Sequence, residues 1–303
     1  MQQAGQDNRA QFLRDWAQQV AAFLAQGETQ GNATPEEYFQ FLMEVLQAIL
    51  HSDGNPALVY PLFRHNLDKL DLNLAQILTA FARDIFDQIK VEEAAEIAAV
   101  ISNFASLIAQ FPLGRRADNL EIAIAAYQLA LEVRTREAFP YEWATTQNNL
   151  GIAYKNRIKG ERADNLEIAI AAYKLALEVY TLEAFPEDWA GTQNNLGGAY
   201  NNRIKGERAD NLEMAIAAYK LALEVYTREA FPYEWAMIQN NLGGAYGERI
   251  KGERADNLEQ AIAVYQLALE VTTREAFPYE WSMIQNNLGN TYLNRIKGER
   301  ADN

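Results

Sequence analysis

The sequence predicts an all-α protein in which antiparallel helix pairs stack into an α-solenoid. The first observation is a repeat: the string Arg-Ala-Asp-Asn begins at positions 116, 162, 208, 254 and 300, and therefore recurs every 46 residues. Of the 46 columns in the four units between these points, 32 hold the same residue in every unit. The second observation is composition, because the abundant Ala, Leu, Glu and Gln all favour helices. Such a period in a helical sequence is typical of stacked repeats.

The composition also excludes several classes of protein. The chain has no cysteine, which rules out a disulfide framework, a thiolate nucleophile and a zinc site built on sulfur. The net charge of −14 argues against nucleic acid as a partner, because phosphate binding depends on clustered Lys and Arg. No apolar run reaches the roughly 18 residues of a membrane span, and the first residues lack a signal-peptide pattern. We expect a cytoplasmic protein with no membrane partner, metal or cofactor.

Each unit reads as two helices joined by short turns. In the first unit, apolar residues follow a helical period over 120–133. Asp118 and Glu121 have the three-residue spacing of a capping box, which predicts the start of this helix. The second helix is predicted to begin at Pro140, and Gly160 provides a stop after it.

A glycine lies inside the second helix of every unit, at Gly151, Gly197, Gly243 and Gly289. Glycine inside a helix costs about 0.5 to 1 kcal/mol relative to Ala, so its recurrence requires a compensating gain. We expect a neighbouring helix to approach closely at these positions, where a larger side chain would block it.

These units resemble the tetratricopeptide repeat. The resemblance rests on Leu150-Gly151-x-x-Tyr154 in one helix and Ala169-x-x-x-Tyr173-x-x-Ala176 in the next. The family's usual unit has about 34 residues, and the extra residues here extend the turn regions. The long unit and its Asn-Asn-Leu-Gly core are most similar to the kinesin-light-chain-like branch and to repeats of cyanobacterial proteins that carry a caspase-like CHAT domain. The resemblance implies a right-handed superhelix whose concave groove binds a protein or peptide.

The period also predicts how the chain is divided. Full repeats cover residues 117–162, 163–208, 209–254 and 255–303, the last of which includes the start of a further repeat. Residues 71–116 form a degenerate zeroth repeat, in which Asn103 falls on the column of Asn149. Residues 1–70 do not follow the period and are predicted to be an N-terminal helical cap or docking region. Its helices are expected near Arg9–Gln26, Pro35–His51 and Pro56–Leu70.

Few residues are suited to catalysis. The two histidines, His51 and His65, lie outside the repeats, and no recurring spacing supplies the partners that a metal site or general base needs. The sequence contains no G-x-S-x-G motif and no Gly-rich phosphate loop. We expect no enzymatic activity.

The candidate binding site begins with Gln-Asn-Asn, which recurs in the second helix of every unit. Asn is a poor residue inside a helix, by roughly half a kcal/mol relative to Ala, so its recurrence calls for an explanation. Two interpretations stay open: the amides hold neighbouring repeats in register, or they line a groove and bind a peptide backbone. The resemblance implies a ligand-contacting Asn directly before each Leu-Gly pair. These residues are Asn149, Asn195, Asn241 and Asn287, with Asn103 in the degenerate repeat.

Variation between units extends this site. Thr145, Asn148, Ile152 and Lys155 are spaced three, four and three residues apart, so these columns form one stripe of the second helix, which we name the variable stripe. Three of the four columns differ between units, as expected for a surface that binds an irregular ligand; the alternative is drift at exposed positions. The opposite stripe, Trp143-Gln147-Leu150-Tyr154, hardly changes and predicts the core. The predicted groove comprises Asn103, Asn148, Asn149, Asn194, Asn195, Asn240, Asn241, Asn286, Asn287, Lys155, Asn201, Asn202, Glu248 and Asn294.

A basic segment also recurs, as Arg157-Ile-Lys-Gly-Glu-Arg162 in the first unit. Because Glu161 and Asp164 interleave with its cations, the pattern favours a locally neutralised edge over an anion site.

The expected function is a scaffold module that binds a protein or peptide in its groove. One alternative is the regulatory or sensor arm of a larger effector, such as a CHAT-type protease, and another is self-assembly through the solenoid ends. Because Arg300-Ala-Asp-Asn303 repeats the opening of a unit, we expect a fragment of a longer protein. We expect its C-terminal face, with Trp281, Leu288 and Tyr292, to allow self-association.

Overall fold

The computed structural model describes residues 33–295, and within them it contains twelve α-helices and no strand. Within each unit most helices that follow one another in the chain pack against each other, so the predicted all-α solenoid is confirmed. The chain forms two compact units that divide between Gly160 and Glu161. The helix predicted at Arg9–Gln26 and the repeated string at 300–303 lie outside the described residues.

The helix bounds in the N-terminal part agree with the sequence prediction at Pro35 and Pro56, but the helix predicted to reach Leu70 ends earlier. The first unit contains α1 (Pro35–Ser52), α2 (Pro56–His65), a 3-10 turn (Leu67–Lys69), α3 (Leu72–Phe86), α4 (Val91–Gln110), α5 (Arg116–Val133) and α6 (Pro140–Asn156). The second unit contains α7 (Arg162–Ala176), α8 (Pro186–Asn201), α9 (Arg208–Ala222), α10 (Pro232–Glu248), α11 (Arg254–Leu269) and α12 (Pro278–Leu293).

Proline and glycine mark the ends of the second helix of each repeat, as predicted. Proline occupies the first position of α6, α8, α10 and α12, where its missing N–H would have no helical partner. The turn after the helix contains a glycine with a positive φ, which is +76° at Gly160 and +79° at Gly206. Because a side chain is strained at such a φ, these turns require glycine.

The predicted capping box is wrong. In the first unit α5 begins at Arg116, two residues before Asp118, and no side chain caps its first turn. Asp118 instead accepts a hydrogen bond from the Lys159 ammonium at 2.8 Å, and the carboxylate of Glu121 accepts two from the Arg157 guanidinium at 2.7 and 2.8 Å. The two carboxylates therefore join the first helix of the unit to the turn that follows the second.

The asparagine of the Arg-Ala-Asp-Asn string fixes the turn before each first helix. The side chains of Asn119, Asn211 and Asn257 are buried, and each donates to a backbone carbonyl six residues earlier at 2.9 Å. In the second unit these carbonyls belong to Lys205 and Lys251. Since a buried carbonyl without a partner is costly, this bond holds the turn in one conformation.

Two of the four glycines inside the second helices, Gly197 and Gly243, allow the close contact between helices that the sequence predicted. A Cβ atom built on Gly197 would lie 2.7 Å from the ring of Tyr219, and one built on Gly243 would lie 2.7 Å from the ring of Tyr265. These rings belong to α9 and α11, the helices that follow α8 and α10. At Gly289 in α12, no atom of the described residues outside that stretch of the helix itself lies within 4 Å of the Cβ position.

The region from α1 to α4 has a different core, built from aromatic rings. Phe63 in α2 is fully buried, and its ring centroid lies 6.0 Å from that of Phe104 and 5.2 Å from that of Phe111. Phe39 in α1 packs against Phe81 in α3 at 5.8 Å. Ring packing therefore replaces the glycine–tyrosine contact in this part of the first unit.

Candidate functional site

The structure places most of the predicted groove residues on the second helices of the repeats, on neighbouring turns of α6, α8, α10 and α12. Asn148, Asn149, Asn194, Asn195, Asn241 and Asn287 are half-buried, Asn240 is buried, and Asn286 is exposed. The opposite stripe is core, as predicted: Leu150 and Tyr154 are buried, as is Gln147, while Trp143 is half-buried. The helices therefore separate an invariant packing face from the variable stripe.

Amide hydrogen bonds connect successive repeats in the second unit. The side-chain nitrogen of Asn241 in α10 donates to the side-chain oxygen of Asn194 in α8 at 3.1 Å. One repeat later, Asn287 in α12 donates to Asn240 in α10 at 3.0 Å. These bonds form what we name the asparagine ladder, and they correspond to the interpretation in which the amides hold the repeats in register. Contact with a ligand stays a prediction.

The ladder uses only part of each amide. A primary amide has two donor hydrogens and an acceptor oxygen, and each ladder bond takes one donor and one acceptor position. The ladder also fixes the orientation of the half-buried Asn194 and Asn241 side chains. An oriented amide at a surface is suited to bind another amide group, such as a peptide backbone.

Glycine occupies several positions of the variable stripe in the second unit. Gly198 lies one turn after Asn194, and Gly244 and Gly247 lie one and two turns after Asn240. Apart from the surrounding stretch of the helix itself, no atom of the described residues comes within 4 Å of a Cβ built on Gly247, and only the Tyr265 hydroxyl does so at Gly244, at 3.8 Å. The space beside the ladder in α10 is therefore open to an approaching chain.

The predicted residues near the ends of these helices have different surroundings. The side chain of Asn202 donates to the carbonyl of Gly198 at 2.8 Å, and that of Asn294 donates to the carbonyl of Asn290 at 2.8 Å. Glu248 forms an ion pair with Arg208. Asn201 is half-buried and lies on the variable stripe in α8, as Lys155 does in α6.

Asn103 has different neighbours from the other residues of the predicted groove. It is exposed on α4, and its side-chain amide lies 3.8 Å from the Cβ position of Gly54, in the turn that joins α1 to α2. The turn after α1 therefore flanks this asparagine, whereas the ladder asparagines of the second unit bond from one second helix to the next.

The recurring basic edge is neutralised by carboxylates of the same unit. In the second unit, Arg203 binds Glu167 through two hydrogen bonds of 2.7 and 2.8 Å, and Arg249 binds Glu213 through two of 2.7 and 2.9 Å. The hydrogen bond from Arg203 lowers the pKa of Glu167, and that from Arg249 lowers the pKa of Glu213. Paired cations of this kind support the repeat rather than an anion site.

The two histidines and the buried Tyr127, whose side chains could in principle take part in catalysis, lie in contact with other parts of the fold. The Nδ1 atom of His51 lies 2.7 Å from the carbonyl oxygen of Gln47, and that of His65 lies 2.6 Å from the carbonyl oxygen of Pro61, each one turn earlier. Burial raises the pKa of Tyr127 to about 12, so its hydroxyl stays protonated. Between residues 33 and 295, no three His, Cys, Asp or Glu side chains are grouped to hold a metal ion, and no helix is long and apolar enough to cross a bilayer.

Comparison with known proteins identifies one of the repeats. A family model of the tetratricopeptide repeat matches residues 235–273, which cover most of α10 and all of α11. No curated protein matches the chain. The family match and the repeated helix pairs together support a protein of the tetratricopeptide-repeat type. Repeats of this type generally mediate protein–protein interaction. The match groups α10 with α11, whereas division into 209–254 and 255–303 separates them, so the two describe one period in different phases.

Proposed function

We propose that the protein is a scaffold module that binds an extended peptide segment of a partner protein along the variable stripe. The observation that carries this proposal is the asparagine ladder beside the glycines of α8 and α10. The ladder orients amides at a half-buried surface, and Gly244 and Gly247 leave room for a backbone to reach them.

The residues of this surface favour recognition of a main chain. Asn195 and Asn241 each offer donors and an acceptor, the groups that a peptide unit also has. Because the ladder holds the Asn241 amide in place before binding, less side-chain entropy is lost when a ligand binds. The stripe columns of α8 and α10 contain Gly, Asn and Met but no charged residue, so the ligand segment beside them is expected to be neutral.

A peptide-selection experiment tests the proposal. Peptides are selected on the full chain from a random library displayed on phage, and the affinity of a selected peptide is then measured for variants. The double variant Asn195→Ala with Asn241→Ala should bind more weakly, because each lost hydrogen bond costs roughly 0.5 to 1.5 kcal/mol. Helicity should hold, since Ala is the better helix former.

The control variant removes two asparagines from a different region, Asn66→Ala with Asn73→Ala, and should bind the peptide as the parent does. The proposal is wrong if the double variant Asn195→Ala with Asn241→Ala unfolds while its folded fraction binds the peptide normally. It is also wrong if no peptide can be selected that competes for the stripe.

We also propose self-association through the face of α12 as a second role. This face is favoured by the open surroundings of Gly289 and by the exposure of Tyr292 and Leu293, which are 41% and 85% exposed. In α10 the equivalent face is covered by α11 through the contact of Gly243 with Tyr265. Sedimentation velocity over a range of concentrations should show reversible association that Gly289→Arg abolishes; a monomer at all concentrations would contradict this role.

A further inference from the structure

A cavity of about 450 Å³ opens in the first unit between the end of α4, the start of α5 and the C-terminal half of α6. Its apolar wall includes Leu120, Ile152 and Ala153, and its polar wall includes Arg116, Asn149 and Asn156. Among the residues that line it, Arg116 alone is charged at neutral pH. The cavity therefore combines an apolar surface with one cation.

The second unit shows the same arginine with a carboxylate bound to it. Arg208 stands two repeat periods after Arg116, and Glu248 stands two periods after Asn156. One terminal nitrogen of the Arg208 guanidinium donates to the backbone carbonyl of Asn201, and the other donates to the carboxylate of Glu248. The backbone bond anchors the guanidinium, and the carboxylate occupies its other side.

Within residues 33–295, Arg116 has the backbone anchor but no carboxylate in the place of Glu248. Its guanidinium donates to the backbone carbonyl of Ala109, which is the counterpart of Asn201. The residue in the place of Glu248 is Asn156, a neutral amide that lines the cavity with Arg116. A guanidinium binds a carboxylate through charge-assisted hydrogen bonds, which are stronger than those to a neutral amide.

We propose that this cavity binds a carboxylate of the partner at Arg116, in the place that Glu248 takes at Arg208, with an adjoining apolar group against Leu120 and Ala153. This inference rests on the proposed function, because Asn149 belongs both to the cavity and to the predicted groove. The carboxylate has two possible sources, the C-terminus of a polypeptide or an acidic side chain within it. Both present the same chemistry to the guanidinium.

Small probes test the cavity without a selected peptide. N-acetyl-leucine provides a terminal carboxylate, and N-acetyl-glutamic acid α-amide provides a side-chain carboxylate. N-acetyl-leucinamide and N-acetyl-glutamine amide are their neutral counterparts. In NMR titrations of the full chain, at least one carboxylate probe should shift the side-chain amide signals of Asn149 and Asn156 more strongly than its neutral counterpart, and the more effective probe identifies the source.

Two variants of the site should lose affinity for the carboxylate probe to a similar degree, for different reasons. Arg116→Gln removes the cation and should weaken binding of the carboxylate probe about tenfold or more, given the usual strength of a charged hydrogen bond. Asn156→Glu should give a similar loss by supplying an internal carboxylate, as Glu248 does for Arg208. Arg115→Gln is the matched control, since this neighbouring arginine pairs with Asp118 outside the cavity lining and its loss should leave probe binding unchanged.

The reciprocal change in the second unit extends the test. Glu248→Asn removes the internal carboxylate from Arg208 and should add a second carboxylate-dependent site there. The assignment would be overturned if charged and neutral probes bound equally, if no probe bound, or if the Arg116→Gln variant bound the carboxylate probe as tightly as the parent does. The affinity of a selected peptide for the second-unit stripe is measured separately, so the failure of either proposal is recognised independently of the other.

Discussion

The region from α1 to α4 and the repeats of the second unit form their cores in different ways. In the first region, Phe63 packs against two other phenylalanine rings at 5.2 and 6.0 Å. In the second unit, a tyrosine ring covers a glycine at each close contact, Tyr219 on Gly197 and Tyr265 on Gly243. A cluster of rings fills one space of irregular shape, whereas a glycine–tyrosine contact can be copied at a fixed spacing.

Polar contacts repeat with the same spacing. In the second unit, Arg203 and Arg249 each bind a glutamate 36 residues earlier, and the following asparagines fix the turns. The difference between the regions therefore explains the sequence: residues that make copied contacts are identical in every unit, whereas the three phenylalanine rings of the Phe63 cluster do not recur 46 residues later. Each contact type can be broken separately, and the expected losses differ in size.

The largest loss is expected in the ring core. Phe63→Ala removes a fully buried ring that packs against Phe104 and Phe111, and should lower the free energy of unfolding by about 3 to 5 kcal/mol. Urea unfolding followed by hydrogen exchange should show the loss concentrated in α2 and α4. A loss below about 1 kcal/mol would contradict the importance of this ring, because even partial collapse of such a site leaves a larger cost.

The next largest loss is expected at the copied contact between helices. Gly243→Leu places a side chain where a Cβ atom alone would lie 2.7 Å from Tyr265, and should destabilise by about 1 to 3 kcal/mol. Gly289→Leu is the matched control, because it changes the same column in a place without neighbouring described atoms. In thermal unfolding, Gly243→Leu should have a lower unfolding temperature than Gly289→Leu. Equal unfolding temperatures would show that the glycine is not required for packing.

A smaller loss is expected at the turn. Asn211→Ala removes the buried amide that donates to the Lys205 carbonyl, and should destabilise by about 1 kcal/mol. Asn202→Ala is the control, since its exposed side chain bonds only within its own helical turn in the described contacts. Chemical denaturation should therefore order the variants as parent, Asn202→Ala and Asn211→Ala. A reversed order would contradict the role of the buried amide.

The smallest effect is expected from the glutamate pairs and depends on pH. The hydrogen bond from Arg249 lowers the pKa of Glu213 in the folded state, so its contribution is present above the unfolded pKa and is lost as pH falls through the folded pKa. The unfolding temperature of the parent should therefore fall more steeply than that of Glu213→Gln from about pH 5 downward. Identical slopes would show that the pair contributes nothing, as is common for partly exposed pairs.

The fold could be predicted largely from the sequence because identical residues recur at one spacing. The mid-helix glycines predicted close helix contacts, and the structure has them at Gly197 and Gly243. The position of the capping box was wrong because the helix begins earlier, which places Asp118 within reach of Lys159. The buried asparagine of Arg-Ala-Asp-Asn was missed, although its identity in all units was the available signal.

The candidate site was predictable only in part. The repeated Gln-Asn-Asn identified the residues, but the sequence left two interpretations open, since an amide binds another amide of the protein or of a ligand equally well. Which amide meets which depends on the offset between neighbouring helices, and only the structure pairs Asn241 with Asn194. The cavity at Arg116 was not predicted, because it depends on a contact between α4, α5 and α6.

The central claim is that the invariant face of each second helix holds the stack while the variable stripe binds the partner. Gly243 and Gly247 test it within one helix, since Gly243 is covered by Tyr265 and Gly247 has no described atom within 4 Å of its Cβ position. The measurement is the affinity of each leucine variant for a peptide selected on the parent, together with its thermal unfolding. We predict that Gly247→Leu keeps its stability and loses peptide affinity, whereas Gly243→Leu loses stability and its folded fraction keeps the affinity. Parental affinity in Gly247→Leu would contradict the claim.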